Sequence, residues 1–399
     1  MGRWRTWSGV AVLAAAICFM TSGGMACERD DVQGLAKFHQ ALAAYEAGTR
    51  KRPVSILHLG DSHIALDHLT GEMRKLWSVR YGNAGQGLMP GVPYKYYAVQ
   101  GYRISMSGNW DVKSSLPADA HGPFGIQGFV ASAARADAEM ALEADEPFDG
   151  VEVEVVGAPD TGYLSLTIDN AAALRISTYR KTPGLVTLYV PAAHAHRVRL
   201  SPVGNGGPVR VLGWGVTRSG AKGGGGVRYD SYGVVAARLD IVSRWRDDIV
   251  DEQIVRRQPD LIILGYGTNE GFDDGLDLAD YRKRLGVLID RLKSLAPQAS
   301  IAVLGAFDGA RKGGAGEACG DGWVTPPKLG KLRDLQRKVA EEKDAWFWDG
   351  EAAMGGRCSI HRWASEEPPR AWTDHVHLRP LGAREMGDRL WHALQACTR

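Results

Sequence analysis

Four short, mostly apolar runs constrain this chain more than any other feature. "VSILHL" (54–59), "LIILG" (261–265), "SIAVLG" (300–305) and "AWFWDG" (345–350) each close on glycine or a polar turn. Sequence of helical period follows in "LDHLTGEMRKLWSVRYG", "LADYRKRLGVLIDRLKSLAP", "PKLGKLRDLQRKVAEEK" and "PLGAREMGDRLWHALQAC", and a further helical stretch, "DVQGLAKFHQALAAYEAGTR", precedes the first run. Strands alternating with helices read as an α/β fold, a parallel sheet flanked by helices.

The alternation is interrupted. From about residue 104 the sequence turns into short alternating runs, "GVEVEVVG", "GYLSLTIDN", "LRISTYR", "GLVTLYVP", "HRVRLSP" and "VRVLGWGVT", divided by Gly, Pro, Asn and Asp. That spacing predicts an all-β sandwich of jelly-roll type. "SGAKGGGG" (219–226) reads as its flexible exit, and "YGVVAARLDIVSRW" as a helix after it. The expected organisation is residues 27–103 and 221–399 forming one α/β domain, with a β domain at 104–220 inserted after the first βα unit. Because the ends of an insert lie close together, removing 104–220 is expected to leave a foldable remainder.

The N-terminus reads as an export signal over residues 1–26: Arg3 and Arg5, the apolar core "GVAVLAAAICFM", then small residues at Gly24 and Ala26. The core is short for a membrane span, so a stable span is not expected. Cys27 after "GMA" leaves a lipid anchor as a further option. Without residues 1–26 the chain carries 46 basic (48 − 2) and 46 acidic residues, a balance that gives no electrostatic reason to bind nucleic acid or anionic lipid. Four of the five cysteines remain: Cys27, Cys319, Cys358 and Cys397. An even number fits disulfides in an oxidising compartment such as the periplasm. The expected pairs are Cys27–Cys397, joining the chain ends, and Cys319–Cys358, pinning the loop "GGAGEACGDGW". None has zinc-like spacing, so neither a metal nor another cofactor is expected.

Candidate chemistry sits where strands end. "GDSH" places Ser62 after the first strand, flanked by Asp61 and His63. Near the C-terminus, "WTDHVHLRPLG" puts Asp374 three residues before His377, a spacing that brings a carboxylate to one imidazole nitrogen and frees the other to take a serine proton. His375 is a less favourably placed competitor. Asn269 in "LGYGTNEG" can aim an amide N–H at an oxyanion, and Gly233 in "YDSYGVVAA", read as a helix start, can let backbone approach a ligand. Trp110, Tyr163, Tyr179, Trp214 and Trp323 are candidate sugar-stacking aromatics. His194 and His196 lack a third ligand and read as a solvent-facing pair.

In order along the chain, "GDSH", Gly233, "GTNE" and "DHVH" resemble the four blocks of the SGNH/GDSL hydrolase family, over residues 54–100 and 226–395. The third block ends in Glu270, where that family usually has Asp. With the β insert, the chain looks similar to bacterial peptidoglycan O-acetylesterases, whose inserted domain is carbohydrate-binding-like. The resemblance implies a carboxylic ester hydrolase acting on an O-acylated polysaccharide. Ser62 would be the nucleophile, His377 the base and Asp374 its orienting partner. The oxyanion hole would be made by Ser62, Gly233 and Asn269, with Asp61, His63 and Trp323 as weaker substrate contacts. An O-acyltransferase working on a periplasmic glucan, and a non-catalytic glycan-binding envelope protein, are the alternatives.

Overall fold

The computed structural model describes residues 34–395, apart from 96, 98, 205 and 220–224. Cys27, Cys397, the export-signal stretch and most of the glycine-rich exit lie outside the described residues. Five strands form an all-parallel sheet: β1 (Val54–Gly60), β11 (Val227–Gly233), β12 (Leu261–Gly265), β13 (Ser300–Gly305) and β17 (Trp346–Asp349). Their order is β11-β1-β12-β13-β17. Within this sheet the chain runs 2-1-3-4-5, which puts the point where strand order reverses between β1 and β12. Open α/β sheets bind ligands just beyond the carboxyl ends of the strands at such a point.

Both faces of the sheet are covered, as the apolar runs require. Period-two alternation along β1 sends Val54 and Ile56 to one core and Leu57 and Leu59 to the other. Helices Ala36–Glu46, His68–Tyr81 and Pro380–Gln395 cover the first face; helices Asp247–Arg257, Leu278–Leu295 and Pro327–Glu342 lie on the second. Among the described residues no helix is long and apolar enough to cross a membrane.

Two expectations are corrected after the insert. The sequence "VRYDSYG" is strand β11, and Gly233 is its last residue and not a helix start. The expected helix "YGVVAARLDIVSRW" contains only a 3-10 turn, Leu239–Arg244. Side chains hold the backbone there instead: the Glu270 carboxylate accepts the N–H of Leu239 at 2.6 Å, and the Asn269 amide donates to the carbonyl of Ala237 at 2.9 Å.

The middle of the chain forms antiparallel β structure, nine strands in one continuous sheet with order β4-β5-β10-β6-β9-β7-β8, β2 pairing β10 and β3 pairing β6. The strands are Gly85–Pro90 (β2), Tyr102–Ser107 (β3), Asp111–Ser114 (β4), Phe129–Ala133 (β5), Glu139–Gly157 (β6), Tyr163–Ile168 (β7), Leu174–Ser177 (β8), Gly184–Pro202 (β9) and Val209–Thr217 (β10). β6 and β9 are 19 residues each, and their pairing shifts register around Phe148, so this long strand pair bends and the sheet curls. Pairing joins all nine strands and does not separate them into two hydrogen-bonded sheets. It also begins at Gly85, well before residue 104.

This β unit packs its apolar side against the α/β unit. Its apolar residues, among them Met140, Val153, Val211 and Trp214, belong to the same core as Leu264, Ile289 and Leu332 of the α/β unit. Beside that core lies a buried charge cluster. Arg257 contacts Glu154 at 3.4 Å and Asp230 at 3.5 Å; Arg228 contacts Glu152 at 2.8 Å; Asp230 accepts the N–H of Gly87 at 2.5 Å. Gln253 accepts from the N–H of Ile126 and donates to Glu154. The β unit supplies Glu152 and Glu154, and the α/β unit supplies both arginines. Removing 104–220 takes away the acids and the apolar cover together. Such a deletion variant is now expected to aggregate and show no cooperative unfolding, contrary to the sequence-based expectation. The single change Glu154→Ala, which leaves Arg257 with Asp230 alone and takes an acceptor from Gln253, is expected to cost about 2–3 kcal/mol by chemical denaturation. A soluble, cooperatively unfolding deletion variant would show that the two units are independent.

Candidate active site

Ser62 opens a single helical turn, Ser62–Ala65, that follows β1 directly. Asp61 caps the turn: its carboxylate accepts the N–H of His63 at 3.0 Å, and its carbonyl accepts those of Ile64 and Ala65. As the first residue of the turn, Ser62 has a backbone N–H with no intrahelical acceptor. The turn lies almost on the sheet. A methyl group added at Gly233 would meet the Ala65 nitrogen at 2.1 Å and the Asp61 carbonyl oxygen at 2.6 Å; one at Gly60 would meet Ile64 at 2.4 Å. Glycine at these strand ends is a condition for the turn to sit where it does.

The second half of the site comes from a loop 315 residues away. His377 Nε2 lies 2.9 Å from Ser62 Oγ, and His377 Nδ1 lies 2.7 Å from Asp374 Oδ2. The other oxygen of Asp374 accepts the backbone N–H groups of Val376 and His377, each at 3.0 Å. Partial burial works against the charge of Asp374, but these donors outweigh it and hold the carboxyl at about 2. A carboxylate fixed in this way selects the tautomer with the proton on Nδ1 and leaves Nε2 free to accept from the serine hydroxyl. The expected geometry of Ser62, His377 and Asp374 is therefore present. His375 is not part of it: its backbone is left-handed (φ 56°) and its ring is buried against Trp323.

Around this relay is a cleft of about 450 Å³ lined by Ser62, Leu66, His68, Val235, Trp372, Asp374 and His377. Asn269 uses one amide N–H on the carbonyl of Ala237, and the amide carries a second. Gly233 lies against the backbone on either side of Ser62, and its carbonyl accepts the hydroxyl of Tyr94 at 2.6 Å. Asp61 and His63, expected as weak substrate contacts, are instead turned inward, 1% and 8% exposed. Trp323 is also corrected: His375 stacks on it at 3.5 Å and the Lys312 ammonium lies 4.9 Å from the ring, so its faces are occupied. Trp214 is buried core, the Arg175 guanidinium lies over Tyr163, and none of the five aromatics named from sequence lines the cleft. The aromatic that does is Trp372, 43% exposed, with the guanidinium of Arg379 over its ring at 4.2 Å. The backbone N–H of Trp372 donates to the carbonyl of His377 at 2.8 Å. Its place two residues before Asp374 was the available signal.

The disulfide Cys319–Cys358 is present as expected. It lies in a small sheet unforeseen from sequence, Arg311–Lys312, Glu317–Gly320 and Trp323–Thr325, which carries Trp323 onto His375. His194 is exposed beside Asp149, and His196 bonds the carbonyl of Ala144; among the described residues no cluster of potential metal ligands occurs.

Behind Asn269, Glu270 is buried. Burial raises its carboxyl to about 7, with the Leu239 N–H opposing and the charge of Asp61 adding to the rise. Between about pH 4.5 and 7 the folded protein binds a proton here that the unfolded chain does not, so stability falls as pH rises through that window. Glu270→Gln is expected to remove this slope. Relative to the parent protein, it should gain up to about 3 kcal/mol between pH 5 and pH 8, read from denaturation at the two values. Equal differences at both pH values would place the proton elsewhere.

No family model and no curated protein matches the chain. Solved structures do. A peptidoglycan O-acetylesterase structure is 24% identical, with a TM-score of 0.76, over 91% of this chain and 96% of that one. An acetyl xylan esterase, 17% identical, covers 42% of this chain and 81% of its own with a TM-score of 0.32. A family two carbohydrate esterase from Clostridium thermocellum, 11% identical, covers 72% and 98%, also at 0.32. The last two superpose too loosely to carry an argument. The first spans nearly the whole of both chains, and so this protein shares with that esterase one fold, a parallel α/β unit joined to an antiparallel β unit.

Proposed function

We propose that the chain is a serine carboxylic ester hydrolase that removes O-acetyl or related acyl groups from a cell-envelope polysaccharide such as peptidoglycan. The observation that carries this reading is the relay from Asp374 through His377 to Ser62 Oγ, at the strand-order reversal of the sheet. Ser62 Oγ attacks the ester carbonyl as its proton passes to His377 Nε2, and Asp374 stabilises the imidazolium. The tetrahedral oxyanion is met by the Ser62 N–H, the free Asn269 N–H and the backbone at Gly233. Collapse expels the sugar alkoxide, which takes the proton from His377. Water, deprotonated by His377, then attacks the acyl-serine, releasing the carboxylic acid and restoring the serine hydroxyl.

Two features support a glycan as the alcohol part. Trp372 offers an exposed indole at the cleft, a surface suited to the apolar face of a sugar ring. The fold is shared with a peptidoglycan O-acetylesterase over nearly the whole chain. A periplasmic or otherwise exported setting is supported by the N-terminal sequence and by the Cys319–Cys358 disulfide.

Ser62→Ala and His377→Ala are expected to lower kcat on p-nitrophenyl acetate by about 10⁴-fold or more with melting temperature unchanged. Asn269→Ala should cost roughly 10²–10³. Unchanged turnover in folded Ser62→Ala would sink the reading. For the glycan, Trp372→Ala should raise KM for O-acetylated peptidoglycan about tenfold, yet leave kcat/KM on p-nitrophenyl acetate within about threefold, as uniform binding requires. Equal losses on both substrates would mean that Trp372 shapes the relay and not the sugar site.

A further inference from the structure

Beside the relay is a second Asp–His pair on the same two segments. His63 Nδ1 lies 3.2 Å from Asp61 Oδ1, and His63 Nε2 lies 3.2 Å from the carbonyl oxygen of Val376. Carboxylate and carbonyl are both acceptors, so satisfying both takes a proton on each ring nitrogen. Neutral imidazole has one N–H and imidazolium has two. The ring is nearly buried, packs edge-on against Phe307 at 5.0 Å, and lies 5.7 Å from the His377 ring at a 30° tilt. The titratable groups around it are Asp61 on its own turn, Asp374 and His377 on the facing loop, His68 across a small shared cavity, and Tyr266 in the wall beneath. Burial works against a charge on His63, but the hydrogen bond and field of Asp61, the Val376 carbonyl and the field of Asp374 outweigh it and raise the imidazole above its ordinary value.

We propose that His63 is a positioning residue, an imidazolium bridge that sets the distance between Ser62 and His377. The proposal rests on the hydrolase reading of those two residues. Ser62 and His63 are consecutive, as are Val376 and His377, so the bridge ties together the same two backbones that the Ser62–His377 contact joins. It does so from the buried side, where water does not compete. The relay loop is otherwise exposed at Asp374 and partly so at His377. A misplacement of about 1 Å between reacting groups can cost about 100-fold in rate. The charge is necessary to the bridge: a neutral ring can serve Asp61 or Val376, not both.

The test uses the full exported protein and p-nitrophenyl acetate. His63→Phe keeps the ring contact with Phe307 and removes both donors; His63→Gln keeps one uncharged donor. The expectation for His63→Phe is a fall in kcat of about 10–100-fold with KM within twofold. His63→Gln should recover part of that loss. Wild-type kcat should decline on the alkaline side as His63 loses its second proton, and this decline should be missing in His63→Gln. Nitrogen-15 NMR of histidine-labelled wild type, with His63 assigned through its contact with Phe307, should show both ring nitrogens protonated at pH 7. The proposal is overturned by folded His63→Phe with kcat within twofold of wild type, by a matching rise in KM, or by the same alkaline limb in His63→Gln. A singly protonated His63 ring overturns it even if neither variant folds. Should wild type cleave no ester at all, the hydrolase reading fails, and the NMR result still decides whether the bridge exists.

Discussion

Close approach of backbone to backbone at three strand ends underlies the whole site. β11, β1 and β12 are neighbours, and their last residues, Gly233, Gly60 and Gly265, are register partners across the sheet. Together they make a floor without side chains. The turn Ser62–Ala65 rests on it, its Asp61 and Ala65 backbone over Gly233 and its Ile64 side chain over Gly60 and Gly265. Any β-carbon at Gly60 or Gly233 would collide at 2.1–2.6 Å with atoms of that turn, most of them backbone and unable to rotate away. Ser62 is thus placed by what is missing beneath it. Its partner His377 reaches it because the floor coincides with the strand-order reversal, where the loop before the last helix passes over the sheet edge.

The β unit takes part in the same arrangement. Tyr94, between β2 and β3, donates its hydroxyl to the carbonyl of Gly233, and Gly87 of β2 donates to Asp230 of β11. β11 is an edge strand of the parallel sheet, and its residues Arg228 and Asp230 are buried with Glu152 and Arg257. A strand of this kind depends on its neighbours: without the β-unit acids, Arg228 and Arg257 would have to share the one carboxylate of Asp230. The β unit therefore keeps in place the strand that ends at Gly233.

The same strand explains what could be read from sequence and what could not. β1, β12, β13 and β17 are apolar runs, and the helices beside them carry clear amphipathic period, so the parallel sheet was legible. Ser62, Asp374 and His377 were legible because four separated short patterns agree in chemistry and order. β11 was not, because "VRYDSYG" mixes charge, hydroxyls and glycine, and only the buried partners 76 and 27 residues away make it a strand. The helix Asp247–Arg257 was missed, although Asp247 and Asp248 in its first turn and Arg256 and Arg257 in its last suit the helix dipole. Trp372 was not legible: which of twelve tryptophans faces a cleft depends on tertiary packing, and composition carries no trace of it.

Two imidazoles and two carboxylates at one sheet edge are given different tasks by solvent access alone. Asp374 and His377 share a surface-facing loop, with side chains 48% and 32% exposed, where a proton can be exchanged and a substrate can enter. Asp61 and His63 face inward, with side chains 2% and 6% exposed. In the exposed pair the carboxylate holds a histidine whose outer nitrogen is left to work on Ser62. In the buried pair both nitrogens of the histidine are occupied, so the ring can hold position and cannot relay a proton. Chemistry and rigidity make opposite demands on a hydrogen-bonding group, one needing a free lone pair and the other none. Placing one pair on each side of Ser62 meets both demands within a few residues of chain.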